Sequence, residues 1–162
     1  FILAALLTLG LGSVAWAADT DTQTVNYEVT AINEISVSGD PSDLVIHTAT
    51  AGSQPDNATD ATTTYAITTN GTSMKITGAI DEAMPEGLTL EVNLAAPTGA
   101  TGGTDVDISS ATETSAADLV TGIGPVAQEG LTITYTLSAT VAAGVVTSAE
   151  KTVTFTLTDG SV

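Results

Sequence analysis

The chain has 162 residues and a net charge of −17, with Lys75 and Lys151 as its two cations. A protein this acidic lacks the Lys and Arg that nucleic acids and anionic membrane surfaces require, and neither is an expected partner. It contains no Cys, which excludes thiolate zinc sites, iron–sulfur clusters and Cys nucleophiles. Thr is the commonest residue, and Thr and Val favour pleated strands.

The first segment, residues 1–18, is uncharged and rich in Leu. Its apolar block ends in Ala15-Trp16-Ala17, the small-residue pattern that signal peptidase accepts, and predicts a signal peptide over residues 1–17 that lacks its basic start. A single domain over residues 18–162 would then be secreted, with membrane contact only through an uncleaved signal segment. The alternative is a retained N-terminal helix of the type IV pilin kind. Processed pilins begin with Phe, but Ala5 stands where that family carries an acid.

The first predicted strand follows a polar spacer. Val25, Tyr27, Val29 and Ala31 alternate with polar residues, as in a strand with one apolar face. Two interpretations are open for this strand. It pairs within its own domain, which places Tyr27 in the core, or it completes the sheet of a neighbouring molecule.

Alternating patterns recur through the rest of the chain and predict strands at residues 34–38, 63–69, 73–80, 88–94, 105–109, 131–141 and 153–157. Asn70-Gly71 predicts a tight hairpin between two of them, and residues 131–157 predict a long closing hairpin. Residues 111–129 are ambiguous, with one helical turn as an option at 115–120. The apolar phase of the strands places Tyr65, Tyr135 and Phe155 in the core. The predicted fold is all-β, an antiparallel β-sandwich of immunoglobulin-like or jelly-roll-like Greek-key type with eight or nine strands.

Catalysis finds little support in the sequence. His47 is the only His, and the motifs of serine hydrolases, zinc proteases and phosphate loops are absent. Glu82 and Glu86 could form a glycosidase pair, but such pairs are inevitable among 19 acids. Aromatic residues make up only 4% of the chain, too few for a sugar-stacking cleft. We therefore predict a protein that is not an enzyme and has no catalytic residues.

Calcium is the only cofactor with a candidate site. Ca²⁺ takes six to eight oxygen ligands from carboxylates, amides and carbonyls. Acids cluster in several predicted loops, and Asp56, Asn57 and Asp60 are the first choice. None of the clusters matches an EF-hand loop, and solvated surface acids are the simpler interpretation.

The apolar start, the leading alternating strand, the Thr-rich Cys-free body and the closing segment TITYTLSATVAAGVVTSAEKTVTFTLTDG together resemble exported bacterial β-sandwich proteins of the fimbrial or matrix-subunit type. The resemblance covers residues 18–162, is architectural, and carries over no site residues. It implies a secreted structural or adhesive subunit of a surface fibre or extracellular matrix, with copies of itself or other surface proteins as partners. Assembly would use Val25, Tyr27, Val29 and Ala31. The alternatives are a calcium- or carbohydrate-binding module and a pilin-like subunit.

Overall fold

The computed structural model describes residues 19–161, and the predicted signal peptide lies outside this range. The described chain is all-β, with eight antiparallel strands and one short 3-10 turn at Val141–Ala143. No helix within residues 19–161 has the length and hydropathy that crossing a membrane requires. The strands are β1 (Asn33–Val37), β2 (Ala58–Thr69), β3 (Met74–Ile80), β4 (Leu88–Leu94), β5 (Val106–Asp107), β6 (Ala117–Ile123), β7 (Val126–Ala139) and β8 (Val153–Asp159).

The strands form two sheets in a sandwich-like arrangement. The larger sheet has the order β1-β2-β7-β4-β5, and the smaller has the order β6-β3-β8. Both contribute to one hydrophobic core, because alternate residues of each strand point to the same side. Its fully buried members include Tyr65 and Ile67 of β2, Ile76 of β3 and Val92 of β4.

On each lateral side of the molecule, an edge of the larger sheet faces an edge of the smaller sheet. β1 faces β8 on one side, and β4 and β5 face β6 on the other. The molecule also has two ends. The first, which we call the Asn70 end, contains the β2–β3 turn, because Asn33 pairs with Thr69 and Asp159 pairs with Met74. The opposite end contains the connection between β7 and β8 over residues 140–152.

Two predicted hairpins are wrong. β2 and β3 flank Asn70-Gly71 but lie in different sheets, and the positive φ in this turn belongs to Ser73 at 58°. β7 and β8 also lie in different sheets, so residues 140–152 connect the sheets and do not close a ladder. In both cases the local pattern located the turn, but the partners of the flanking strands are distant in sequence.

The ambiguous stretch at residues 111–129 contains the whole of β6 and the start of β7, and the helical turn considered at 115–120 does not form. β6 has register shifts against β3, which disturb its alternation. The leading strand expected at residues 24–31 is also absent, and the first strand begins at Asn33.

Candidate functional site

The leading segment, residues 19–32, is exposed along its whole length and pairs with no strand of the described chain. Its apolar side chains lie in solvent, with Tyr27 93% exposed and Val25 and Val29 each 78% exposed. The expectation that Tyr27 packs in the core is therefore wrong, whereas Tyr65 and Tyr135 are buried as predicted. A single exposed apolar side chain needs no explanation. A regular alternating row of exposed apolar side chains is characteristic of a strand that lacks its partner.

Asn70 holds the C-terminal end of the leading segment, residues 30–32, against the folded domain. Its side-chain oxygen accepts a hydrogen bond from the Ile32 amide at 2.9 Å, and its side-chain amide donates to the Thr30 carbonyl at 2.8 Å. Its own backbone amide donates to the Ile32 carbonyl at 3.2 Å. These three bonds anchor residues 30–32 at the Asn70 end and leave residues 19–29 without contact to the core.

The side of the molecule between β1 and β8 is open. Ile35 and Val37 lie on the core-facing side of β1, because they pair with the buried Ile67 and Tyr65. The core-facing row of β8 pairs with the buried Ile76, Gly78 and Ile80 of β3. None of these β1 and β8 side chains is fully buried, and Val37 is 51% exposed. We call this side the open seam. It is lined by Ile35, Val153, Phe155 and Leu157, which pack against the core, and by the half-exposed Val37.

The opposite side, between β5 and β6, is closed. The loop after β4 crosses it, and Thr101 exchanges two backbone hydrogen bonds with Thr121 at 2.9 and 2.8 Å. Leu119 and Val120 of β6 are buried, and the Val120 side chain lies next to this loop. Gly102 allows the close approach, since a Cβ atom there would lie 2.9 Å from Val120 Cγ2. We call this side the closed seam.

The calcium candidates differ in their surroundings. Asp60 is buried, and its carboxylate accepts hydrogen bonds from the Thr62 amide at 3.0 Å and the Thr62 hydroxyl at 2.8 Å. These donors hold the pKa of Asp60 below its usual value of 3.8. Asp56 and Asn57 are exposed just before β2. Within residues 19–161 no three His, Cys, Asp or Glu side chains converge as metal ligands, and calcium binding by Asp56, Asn57 and Asp60 stays a prediction.

The groups considered for catalysis lie on the exposed surface. His47 is exposed, and its Nδ1 lies 3.1 Å from the Val45 carbonyl oxygen. Glu82 pairs with Lys151 at 3.4 Å on the surface, and Glu86 is exposed. Burial raises the pKa of both Tyr65 and Tyr135 to about 12, so neither phenol ionises near neutral pH. The Tyr65 hydroxyl instead donates to the Ala95 carbonyl at 2.6 Å, a structural bond.

The described surface carries two depressions near the sheets. The larger, of about 550 Å³, is lined mainly by hydroxyls and acids beside the smaller sheet, among them Asp81, Glu113 and Thr154. The smaller, of about 370 Å³, lies against β1 and β2 and includes Glu129. Both are open to solvent, whereas small-molecule sites are typically concave and enclose most of the ligand. A scan against protein-family models, a search of curated proteins and a search of solved structures each returned no match.

Sequence reasoning located the apolar row of the leading segment but missed both Asn70 as its anchor and the open seam. Asn70-Gly71 is equally compatible with a turn whose Asn side chain serves another segment, and no local signal distinguishes the two roles. The open seam had no signal either, because Val153, Phe155 and Leu157 alternate as in any half-buried strand.

Proposed function

We propose that this protein is a secreted, non-enzymatic structural subunit of a cell-surface fibre or extracellular matrix, built as a Greek-key β-sandwich and assembled through its leading segment. The observation that carries the proposal is the row of exposed apolar side chains at Val25, Tyr27 and Val29. Such a row is costly to leave in water, since burying one Val or Leu-sized side chain is worth about 1.5–3 kcal/mol.

Strand addition is the binding mode that suits an exposed, alternating segment. The backbone supplies hydrogen bonds along a free sheet edge, and the alternate side chains enter the apolar space behind it. The molecule offers both partners of such an interaction, the leading segment and the open seam. The segment also costs little to release, because residues 19–29 make no contact with the core of their own domain.

The acidic surface sets the conditions for assembly. Both cations are paired, Lys75 with Asp118 at 2.9 Å and Lys151 with Glu82, so copies of the chain repel one another. At an ionic strength of 0.15 M the Debye length is about 8 Å, which screens most of this repulsion. We expect assembly to be faster as salt is raised and to need no nucleic acid or lipid.

The test is negative-stain microscopy of the chain from Ala18 onward, compared with Tyr27→Asp and Asn26→Asp. Both variants add one negative charge to the same segment, but position 27 lies in the apolar row and position 26 does not. We expect filaments or ordered oligomers in the unchanged protein and in Asn26→Asp, and dispersed particles in Tyr27→Asp. Because Tyr27 is exposed, neither variant should alter the unfolding midpoint of the dispersed protein. Dispersed particles in all three samples would contradict the proposal.

The calcium- or carbohydrate-binding alternative predicts a different experimental result. A ligand that binds only the folded protein raises its thermal midpoint. A midpoint that rises with added calcium in the unchanged protein, and not in Asp56→Asn, would favour that alternative.

A further inference from the structure

We infer that the leading segment of one molecule is received by the open seam of a second copy, where it adds to β8 as a fourth strand of the smaller sheet and runs antiparallel to it. This inference rests on the proposed function and specifies its acceptor. Three observations support it. β8 has a free edge, two apolar rows match in spacing, and Asn70 anchors the end of the segment that joins the domain.

The free edge of β8 is the first observation. β8 pairs with β3 along all seven of its residues, and within the described chain no backbone hydrogen bond reaches its other edge. The corresponding edge of β6 is bonded to Thr101. A sheet edge left unpaired, with half-buried apolar side chains behind it, invites a further strand. β8 therefore offers a free edge of seven residues, longer than the five-residue edge of β1 on the same side.

The two apolar rows match in spacing and number. Val25, Tyr27 and Val29 are spaced by two residues, as are Val153, Phe155 and Leu157. A strand placed beside β8 would direct its three apolar side chains into the open seam, next to Ile35 and Val37 of β1. The intervening Asn26 and Glu28 would face solvent together with Thr154 and Thr156, which are exposed. Glu28, the charged residue between Val25 and Val29, would stay out of the seam, and Asp19 and Asp21 would lie beyond Leu157.

The acceptor belongs to another molecule because of the anchor at Asn70. Residues 30–32 are held where β8 of the same chain ends, and residues 19–29 before them are exposed and make no contact with the core. To reach its own β8 the chain would have to reverse within residues 29–32. That stretch contains no Gly, Pro, Asp or Asn, the residues that tight turns favour.

The direction follows from the ends of the molecule. β1 runs away from the Asn70 end, whereas β8 runs toward it. A segment that continues the line of β1 into a copy stacked head to tail enters at that copy's opposite end, antiparallel to its β8. The register that matches the two rows places Val29 beside Val153, Tyr27 beside Phe155 and Val25 beside Leu157.

A second exposed apolar group lies where the stacked copy would arrive. The connection over residues 140–152 carries Val141, Val145 and Val146, which are 72%, 99% and 46% exposed. This connection lies at the end opposite Asn70. Head-to-tail stacking would place the Asn70 end of the next molecule against it. The same arrangement thus covers both exposed apolar groups.

The test uses disulfide formation, which is free of background because the chain has no Cys. Glu28→Cys and Thr154→Cys are made as separate single variants, carry tags of different mass, and are mixed under assembly conditions before mild oxidation. Directly opposed residues of antiparallel strands have Cβ atoms about 4.5–5.5 Å apart, close enough for a disulfide after a small adjustment. We expect the two single-chain bands to shift to one band of summed mass. The same mixture carrying Tyr27→Asp in the Glu28→Cys chain should lose that band.

Direction and acceptor are tested by further mixtures. Asn26→Cys with Thr156→Cys should cross-link in the antiparallel register, whereas Asn26→Cys with Thr152→Cys would cross-link only if the segment ran parallel to β8, which would overturn the direction. Filaments without a cross-link at either β8 position would overturn the acceptor and leave the proposed function intact. A cross-link confined to single chains of the Glu28→Cys, Thr154→Cys double variant would show closure on the same molecule and overturn the inference. The absence of any assembly would end both proposals.

Discussion

The two seams of the molecule use the same kinds of side chain and differ in what covers them. The closed seam is crossed by a loop that bonds to the edge of β6, and Leu119 and Val120 of β6 are buried. The open seam has no such cover, and Phe155 and Leu157 of β8 are only half-buried. The molecule can therefore satisfy one sheet edge by its own chain, while the other has capacity for a further strand. In our proposal, the assembly contact therefore lies on the β1–β8 side.

Truncating one Leu in each seam should give the largest contrast. Replacement of a buried Leu by Ala costs about 2–5 kcal/mol of unfolding free energy, through lost burial and the cavity left behind. We expect Leu119→Ala to fall in this range and Leu157→Ala to cost clearly less, because water already reaches its site. Urea unfolding of both variants measures the difference, in the Tyr27→Asp background that our proposal expects to stay dispersed. Equal losses would contradict an open β1–β8 side.

Adding a single methyl group to the loop over the closed seam should displace this loop from β6. Gly102→Ala would place Cβ 2.9 Å from Val120 and 3.2 Å from the Leu119 carbonyl oxygen. Overpacking of this kind costs about 1–3 kcal/mol. Gly124→Ala is the matched control, since nothing lies within 4 Å of its added Cβ atom. Thermal unfolding should show a lower midpoint for Gly102→Ala alone, and a shift of equal size in both variants would argue against tight packing of this loop.

Thr63 is buried on β2, in the core that both seams share. Its replacement should change the free energy of unfolding by a smaller amount and in the opposite direction. Its hydroxyl is the buried side-chain oxygen of the described chain that lacks a hydrogen-bond partner. A buried polar group without a partner costs about 1–3 kcal/mol, so Thr63→Val should raise the unfolding free energy by about 1 kcal/mol. Thr69→Val is the control and should lower it. The Thr69 hydroxyl donates to Asn33 Oδ1 at 2.6 Å and accepts from the Gly71 amide. Stabilisation by both changes would refute this account.

The smallest expected effect is a dependence on acid. Hydrogen bonds from Thr62 lower the pKa of Asp60, and those from Ser161 lower the pKa of Asp159 at the end of β8. A carboxyl whose folded pKa lies below its unfolded value of 3.8 adds stability above that pH and loses it as the pH falls through the folded value. Asp60→Asn should therefore be less stable than the unchanged protein near neutral pH, with the gap closing in acid.

Thermal midpoints across this pH range measure the gap. Asp159→Asn should show the same trend more weakly, because Asp159 is exposed and Asp60 is only 7% exposed. A gap that stays constant down to the most acidic condition would show that Asp60 acts through packing and not through its charge.

Part of this fold could be predicted from local pattern alone. The alternation in residues 88–94 corresponds to β4 in full, and the alternation around Tyr65 and Tyr135 correctly predicted their burial. The same rule failed at Tyr27, where an equally regular row lies in solvent. It also failed at β6, where register shifts against β3 and a positive φ at Gly122 interrupt the period of two.

The sequence by itself determined the all-β class, most of the strand positions, the strongly acidic net charge and the apolar row of the leading segment. Only the tertiary structure decided that β2 and β3 lie in different sheets, that Asn70 anchors residues 30–32, and that β8 has a free edge. The physical reason is that alternation records which face of a strand avoids water, a property of neighbours in the chain. The identity of the strand that covers this face depends on residues far away in sequence or, in our proposal, on a second molecule.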